Sequence, residues 1–257
     1  MKLTTSFGLL VVAFLALSVL MTGTVLADPP KAPAVSTFAP ADDLATQVEG
    51  YVEKLEESVE SKDEYEDSKE KIGKDSNTLI VMALALGLSD KDNDYKASAA
   101  GMVKAAQELA AAKDYDAAKA GVAAVKAAIA AKAGGADKLK WEKAASLHEL
   151  MEAVPSLNTK LKGALKKESR FKKKAKKAAG YAAVMAVIAQ GSMANSSDTE
   201  KPDESAKWYK YCAEMRDAAA EVNAACAKKD HAAAKAAMEK LGETCHTCHE
   251  VFHEEEK

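Results

Sequence analysis

The sequence is short of the residues that break helices and of those that favour strands. It has 13 Gly and 6 Pro in 257 residues, and aromatics make up only 5%. Ala, Lys, Glu, Leu and Met take their place. These residues lose little side-chain freedom in a helix, so an all-α chain is expected. No stretch reads as a strand, which removes the βαβ setting that a thioredoxin-like dithiol needs. An excess of positive charge is also missing: the formal net charge is -3, and nucleic acid is not an expected partner. Cysteine is scarce, at four residues. Cys212 and Cys226 stand fourteen residues apart in one expected helix, roughly 20 Å along its axis and beyond the ~7 Å limit for a bridge. Cys245 and Cys248 are close, but His249 follows directly. The disulfide framework that staples many small exported domains therefore fits badly.

The one long apolar run lies at the N-terminus. Lys2 precedes an apolar stretch from Phe7 to Met21, and Val25 and Ala27 occupy cleavage-site positions before Asp28. This is the pattern of a secretory signal peptide over residues 1–27, cut after Ala27. A membrane anchor of that length would be followed by a basic flank, whereas Asp28-Pro29-Pro30 follows here. The mature chain is expected to be periplasmic or secreted, without a membrane segment. Residues 28–40, "DPPKAPAVSTFAP", read as a Pro-rich linker without fixed structure.

What remains repeats itself. "TLIVMALALGLS" (Thr78 to Ser89) resembles "GYAAVMAVIAQGS" (Gly180 to Ser192), with Val81-Met82-Ala83 on Val184-Met185-Ala186 at an offset of 103. Further on, "KDYDAAKAGVAAVKAA" matches "KDHAAAKAAMEKLGET" at an offset of 116, so thirteen residues enter in the loop "GSMANSSDTEKPDES". Each repeat divides into four helical stretches: near 42–60, 64–88, 93–112 and 114–132, then near 137–163, 166–194, 203–228 and 230–253. Short connections imply antiparallel neighbours. Two tandem four-helix bundles are expected, over 41–135 and 136–257, with Gly134-Gly135 as the stop between them.

The chemistry sits in the second repeat alone. "ETCHTCHEVFH" (Glu243 to His253) contains Cys-x-x-Cys-His, the attachment sequence for c-type haem. The thiols of Cys245 and Cys248 would form thioethers with the haem vinyl groups, and His249 would ligate iron. Cys245 and His249 are four apart, so one helix face presents both. Zinc held by Cys245, Cys248 and two of His246, His249 and His253 is an alternative by ligand type, but a single helix closes only one side of a tetrahedron. The offset of 116 puts Ile129, Lys132 and Ala133 opposite Cys245, Cys248 and His249, so the first repeat lacks the site.

A four-helix bundle with this motif in its last helix resembles cytochrome c′ and the class II cytochromes c. Their pattern is C-x-x-C-H-x-x-aromatic-Arg; here Phe252 supplies the aromatic, packed on haem by the resemblance, and His253 stands where the family has Arg. The resemblance covers roughly residues 140–257, and reaches 41–133 through the repeat only. It implies one covalent haem c. It also implies that the first helix of the bundle, with a Y-R-x-x-x-L or Y-R-x-x-x-M stretch, covers the distal side of the iron. "SLHELM" aligns Met151 with the Leu/Met position as a candidate distal ligand, with Leu147 in place of Arg. A core methionine is the plainer reading of Met151. His148, one residue off that face, is a second candidate distal ligand and otherwise reads as solvent-exposed.

Two functions follow. A filled sixth position suits electron transfer between redox partner proteins, the expected role; an open one suits binding a small gas such as nitric oxide or carbon monoxide. A peroxidase wants polar distal groups, and only His148 offers one, so an enzyme is not expected. His231 and His246 read as surface residues. Cys212 and Cys226 read as small buried apolar groups, with an intermolecular disulfide, and so a homodimer, as the alternative. The basic run "KKESRFKKKAKK" (Lys166 to Lys177) has an acidic counterpart, "DEYEDSKEKIGK" (Asp63 to Lys74), at the equivalent corner of the first bundle. Both read as solvated helix ends, or else as docking surfaces, the basic one for an acidic redox partner.

Overall fold

Four helices begin at a side chain that takes up an orphan amide. The Ser61 and Ser146 hydroxyls accept from the amides of Glu64 and Glu149, and the Asp114 and Asp230 carboxylates accept from Ala117 and Ala233. The computed structural model describes residues 28–131 and 139–253. Eight α-helices are found among them, with no strand. These are α1 (Ala41–Glu57), α2 (Lys62–Leu88), α3 (Ala99–Ala110), α4 (Tyr115–Ala131), α5 (Leu147–Leu165), α6 (Glu168–Ser192), α7 (Ser205–Ala227) and α8 (His231–Phe252). The expected signal peptide over 1–27 and the Gly134-Gly135 stop lie outside the described residues. Within the described residues, no helix is long and apolar enough to cross a membrane.

The helices form two sets of four. Within each set neighbours in sequence pack together, and the first helix also meets the fourth. The central helices are α2 and α6. Residues 76–87 of α2 are all buried, as are residues 178–192 of α6 except Tyr181. A helix apolar all round must be covered on every side. Each is covered by its own bundle on one side and by the other repeat on the other. The seam joins α1 to α6, α2 to α5, and α2 to α6. Under the repeat, α1 corresponds to α5 and α2 to α6, so each contact is the exchange partner of another or of itself. That is the pattern of an isologous interface, here within one chain. One apolar core runs through both repeats.

Two glycines let α6 approach the first repeat closely. A Cβ on Gly191 would lie 2.6 Å from Val81 Cγ1, and one on Gly180 would lie 2.5 Å from Gln47 Nε2.

The expected helix starts at 93 and 137 move to Ala99 and Leu147. Polar side chains hold the preceding backbone in turns. Asn93 Nδ2 donates to the Leu86 carbonyl (2.9 Å), and the Tyr95 amide donates to Asn93 Oδ1 (3.1 Å). The Ser146 amide donates to Asn77 Oδ1 (2.7 Å), which ties the connection to the first repeat. The stretch from Asp28 to Pro40 is a strap rather than a free spacer. A 3₁₀ turn at Val35–Thr37 puts Val35, Phe38 and Ala39 in the core. The Ser36 amide and hydroxyl donate to the Asp90 carboxylate at 2.8 and 2.6 Å, and these bonds hold that carboxyl below its usual range.

Candidate functional site

The C-terminal half of α8 carries Cys245, Cys248, His249 and Phe252 at i, i+3, i+4 and i+7, which is one helix face. All four line a single cavity of about 560 Å³, within the range typical of cofactor sites. Across the hairpin, α7 contributes Trp208, Tyr211, Cys212 and Met215 with the same spacing. The first helix of the bundle, α5, adds Leu147, His148, Met151, Val154 and Pro155. Thus Met151 and His148, singled out from the sequence, share the cavity with the Cys-x-x-Cys-His residues. Met151 is half-buried and His148 is exposed at the rim.

α5 runs without interruption through Pro155. Pro has no amide hydrogen, so the Met151 carbonyl, four residues before it, loses its helical donor.

The thirteen inserted residues help to build the cavity. After α6 the chain makes a 3₁₀ turn, Met193–Asp198, and Asp198, Thr199 and Glu200 line the mouth. Asn195 Nδ2 donates to the Ala145 carbonyl (3.0 Å), Lys143 pairs with Asp198, and Trp208 Nε1 donates to the Ser192 carbonyl (2.9 Å). These contacts pin the loop to the start of α5 and to α7.

Phe252 packs edge-on against two aromatics, Trp208 at 5.3 Å and Tyr211 at 6.1 Å between centroids. With Met193 and Cys212 these form a small apolar cluster apart from the main core, and Cys248 packs against it. His253, where the resemblance expects Arg, lies 5.7 Å from His249, ring to ring, and 3.7 Å from Glu200 Oε1.

Burial sets the protonation states. It raises the Cys245 thiol, with a hydrogen bond from Thr244 opposing, and lifts Cys248 to about 11, helped by neighbouring Cys245. The His249 imidazole is pushed below its ordinary value, first by lost solvation, then by His253 and His246. Neutral imidazole is the form that ligates a metal.

The remaining candidates separate cleanly. His246 is exposed and faces Glu250 (3.2 Å). His231 is not simply at the surface: it is half-buried, with Nε2 2.7 Å from the Leu165 carbonyl and its ring 5.3 Å from Phe171. Cys226 is 1% exposed and Cys212 6%, so neither thiol stands where another chain's could meet it. The basic run occupies the start of α6, whereas the cavity touches the end of that helix at Ala189 and Ser192. The aromatic wall of α7 and the third cavity cysteine, Cys212, were not singled out as site residues from the sequence. The clustering of Trp208, Tyr209, Tyr211 and Cys212 in so aromatic-poor a chain was the available signal.

Comparison with protein-family models, with curated proteins and with solved structures finds no match for this chain.

Proposed function

We propose that the chain is an exported c-type cytochrome of the class II kind, carrying one covalent haem c in its second bundle and passing electrons between periplasmic proteins. The observation that carries this reading is the convergence of Cys245, Cys248 and His249 with Met151 on one largely apolar cavity. When bound, the haem supplies one-electron iron chemistry. Cys245 and Cys248 would hold it through thioethers, His249 would be the axial ligand, and Phe252 would pack beside it. Trp208, Met215, Leu147 and Val154 exclude water from the site, a lever on its potential. A bare metal site fits less well: among the described residues, no three His, Cys, Asp or Glu side chains come together where an ion could be held.

A second reading is binding of a small gas, favoured by the apolar side chains of Leu147, Val154 and Pro155, which line the cavity beside Met151. One set of measurements tests both. Haem should survive acid–acetone extraction, and the mature mass should exceed the polypeptide by one haem. Haem that extracts freely overturns the cytochrome reading. With Met151 as ligand, the oxidised protein is low-spin with a sulfur-to-iron band in the far red, and Met151→Leu turns it high-spin and opens it to carbon monoxide. A wild type that is already high-spin and binds carbon monoxide moves the assignment to gas binding.

A further inference from the structure

The cavity holds three thiols, and the Cys-x-x-Cys-His motif accounts for two. The third, Cys212, belongs to α7, which turns back into α8 at Lys229, the described non-glycine residue with positive φ (55°). Cys212 lies seventeen residues before Lys229; Cys245 and Cys248 lie sixteen and nineteen after it. In an antiparallel hairpin, equal distances from the turn mean equal height, because both helices rise by the same amount per residue. Cys212 therefore stands level with the motif. It lines the same cavity, and it belongs to the apolar cluster against which Cys248 packs. Burial raises the Cys212 thiol first, and Cys248 is the next contributor. Cys226 is the last residue but one of α7, at the hairpin end, and is not among the residues that line the cavity.

We infer that Cys212 is a redox partner for the haem-attachment cysteines, forming a disulfide with Cys248 in the haem-free chain. The step balances simply. Half-buried Cys248 attacks an external disulfide of the glutathione class, and the buried Cys212 thiol then displaces the attached thiol from Cys248, giving one Cys212–Cys248 bond and two reduced thiols. Two electrons and two protons pass to the oxidant, and thiolate attack carries each exchange. The disulfide would block Cys248, so attachment would require prior reduction by a dithiol. That consequence rests on the haem reading; the disulfide itself does not.

The test uses residues 28–257 made in a reducing cytoplasm without haem. The protein is oxidised with glutathione disulfide, its free thiols are alkylated, and it is digested with trypsin without reduction. Cleavage after Lys210 and Arg216 frees Cys212 on the peptide Tyr211–Arg216, while Cys226 and the Cys245/Cys248 pair fall on two other peptides. The expected product is Tyr211–Arg216 joined to the C-terminal peptide, with fragmentation placing the bond on Cys248, Cys226 alkylated, and the protein still one chain. Cys212→Ser should keep its helicity and lose this bond. If Cys212 is alkylated in full while Cys245 and Cys248 bridge each other, or if no bond forms, the inference falls. The wild-type map decides the matter even if Cys212→Ser unfolds. Haem retention by the exported protein is read separately, so loss of one result leaves the other standing.

Discussion

The two repeats share a frame and a seam, and they differ at one end. In the second repeat the inserted loop and the α8 motif surround a cavity. In the first, the corresponding end is filled. Leu139, from the connection, sits so close to Gly87 that an added Cβ would be 2.4 Å from Leu139 Cδ1, and Ala99 closes the other side at 2.7 Å. The N-terminal strap is tied to the same end through Ser36 and Asp90. Ile129, the counterpart of Cys245, packs against the core. The first repeat, which lacks the Cys-x-x-Cys-His motif, has a structural task here, because α1 and α2 cover the apolar faces of α5 and α6.

The seam gives the largest effect that can break this comparison. Met82 and Met185 are repeat counterparts with 0% and 1% exposure, on the two central helices. Truncating a buried Met to Ala typically costs about 2–5 kcal/mol. With one continuous core, Met82→Ala and Met185→Ala should each lower the midpoint of a single denaturant transition. Two separated transitions, with each variant moving only one, would show that the repeats fold independently and that the seam is secondary.

Some of this was legible in the sequence, and the reason is periodicity. The segments that reveal the repeat, Thr78 to Ser89 and Gly180 to Ser192, are the parts of α2 and α6 buried on all sides, where substitutions are least tolerated. The helical class, and the face shared by Cys245, Cys248, His249 and Phe252, follow from local spacing. The strap was not legible. Its Pro-rich composition has no period, and its anchors are set by residues far along the chain, such as Asp90 for Ser36. The same holds for Leu139 and for the aromatic wall of α7. Cys212 was within reach of simple counting about the α7–α8 turn, but only once the turn was fixed at Lys229.

A smaller effect sharpens the picture of the seam. Asp75 on α2 is half-buried, with Lys54 of α1 and Lys160 of α5 nearby. Burial raises its pKa above 3.8, and Lys54, Lys160, Lys74 and Lys71 oppose the rise. The folded state therefore holds this proton more tightly than the unfolded chain does. Stability from this group is full below pH 3.8 and is lost as pH rises through the higher folded value. Asp75→Asn should remove that slope from stability measured against pH between about 3 and 7. An identical pH profile for the variant would mean that Asp75 is solvated and the seam is open there.

The smallest effect concerns the two ends of α6. The basic run reads as a docking surface only if a partner approaches near the site, yet Lys174 and Ala189 are fifteen residues apart on one helix, roughly 22 Å along its axis. Exposed charges are screened within about 8–10 Å at physiological ionic strength. Lys172 already pairs with Glu168 at 2.7 Å, one turn back on its own helix, as a solvated helix end does. If the chain carries haem as proposed, replacing Lys172, Lys173 and Lys174 with Glu should therefore leave the rate of reduction by a protein donor within about twofold at physiological salt, and stability within about 0.5 kcal/mol. The cavity lining has the opposite sign: it includes Glu152, Asp198 and Glu200 and neither Lys nor Arg. Reversing Glu152 to Lys, beside the site, should change the rate more than all three lysine replacements together. If the lysine variant is the slower one, and the difference fades as salt rises, the partner docks at the basic end and electrons enter this bundle by a route along α6.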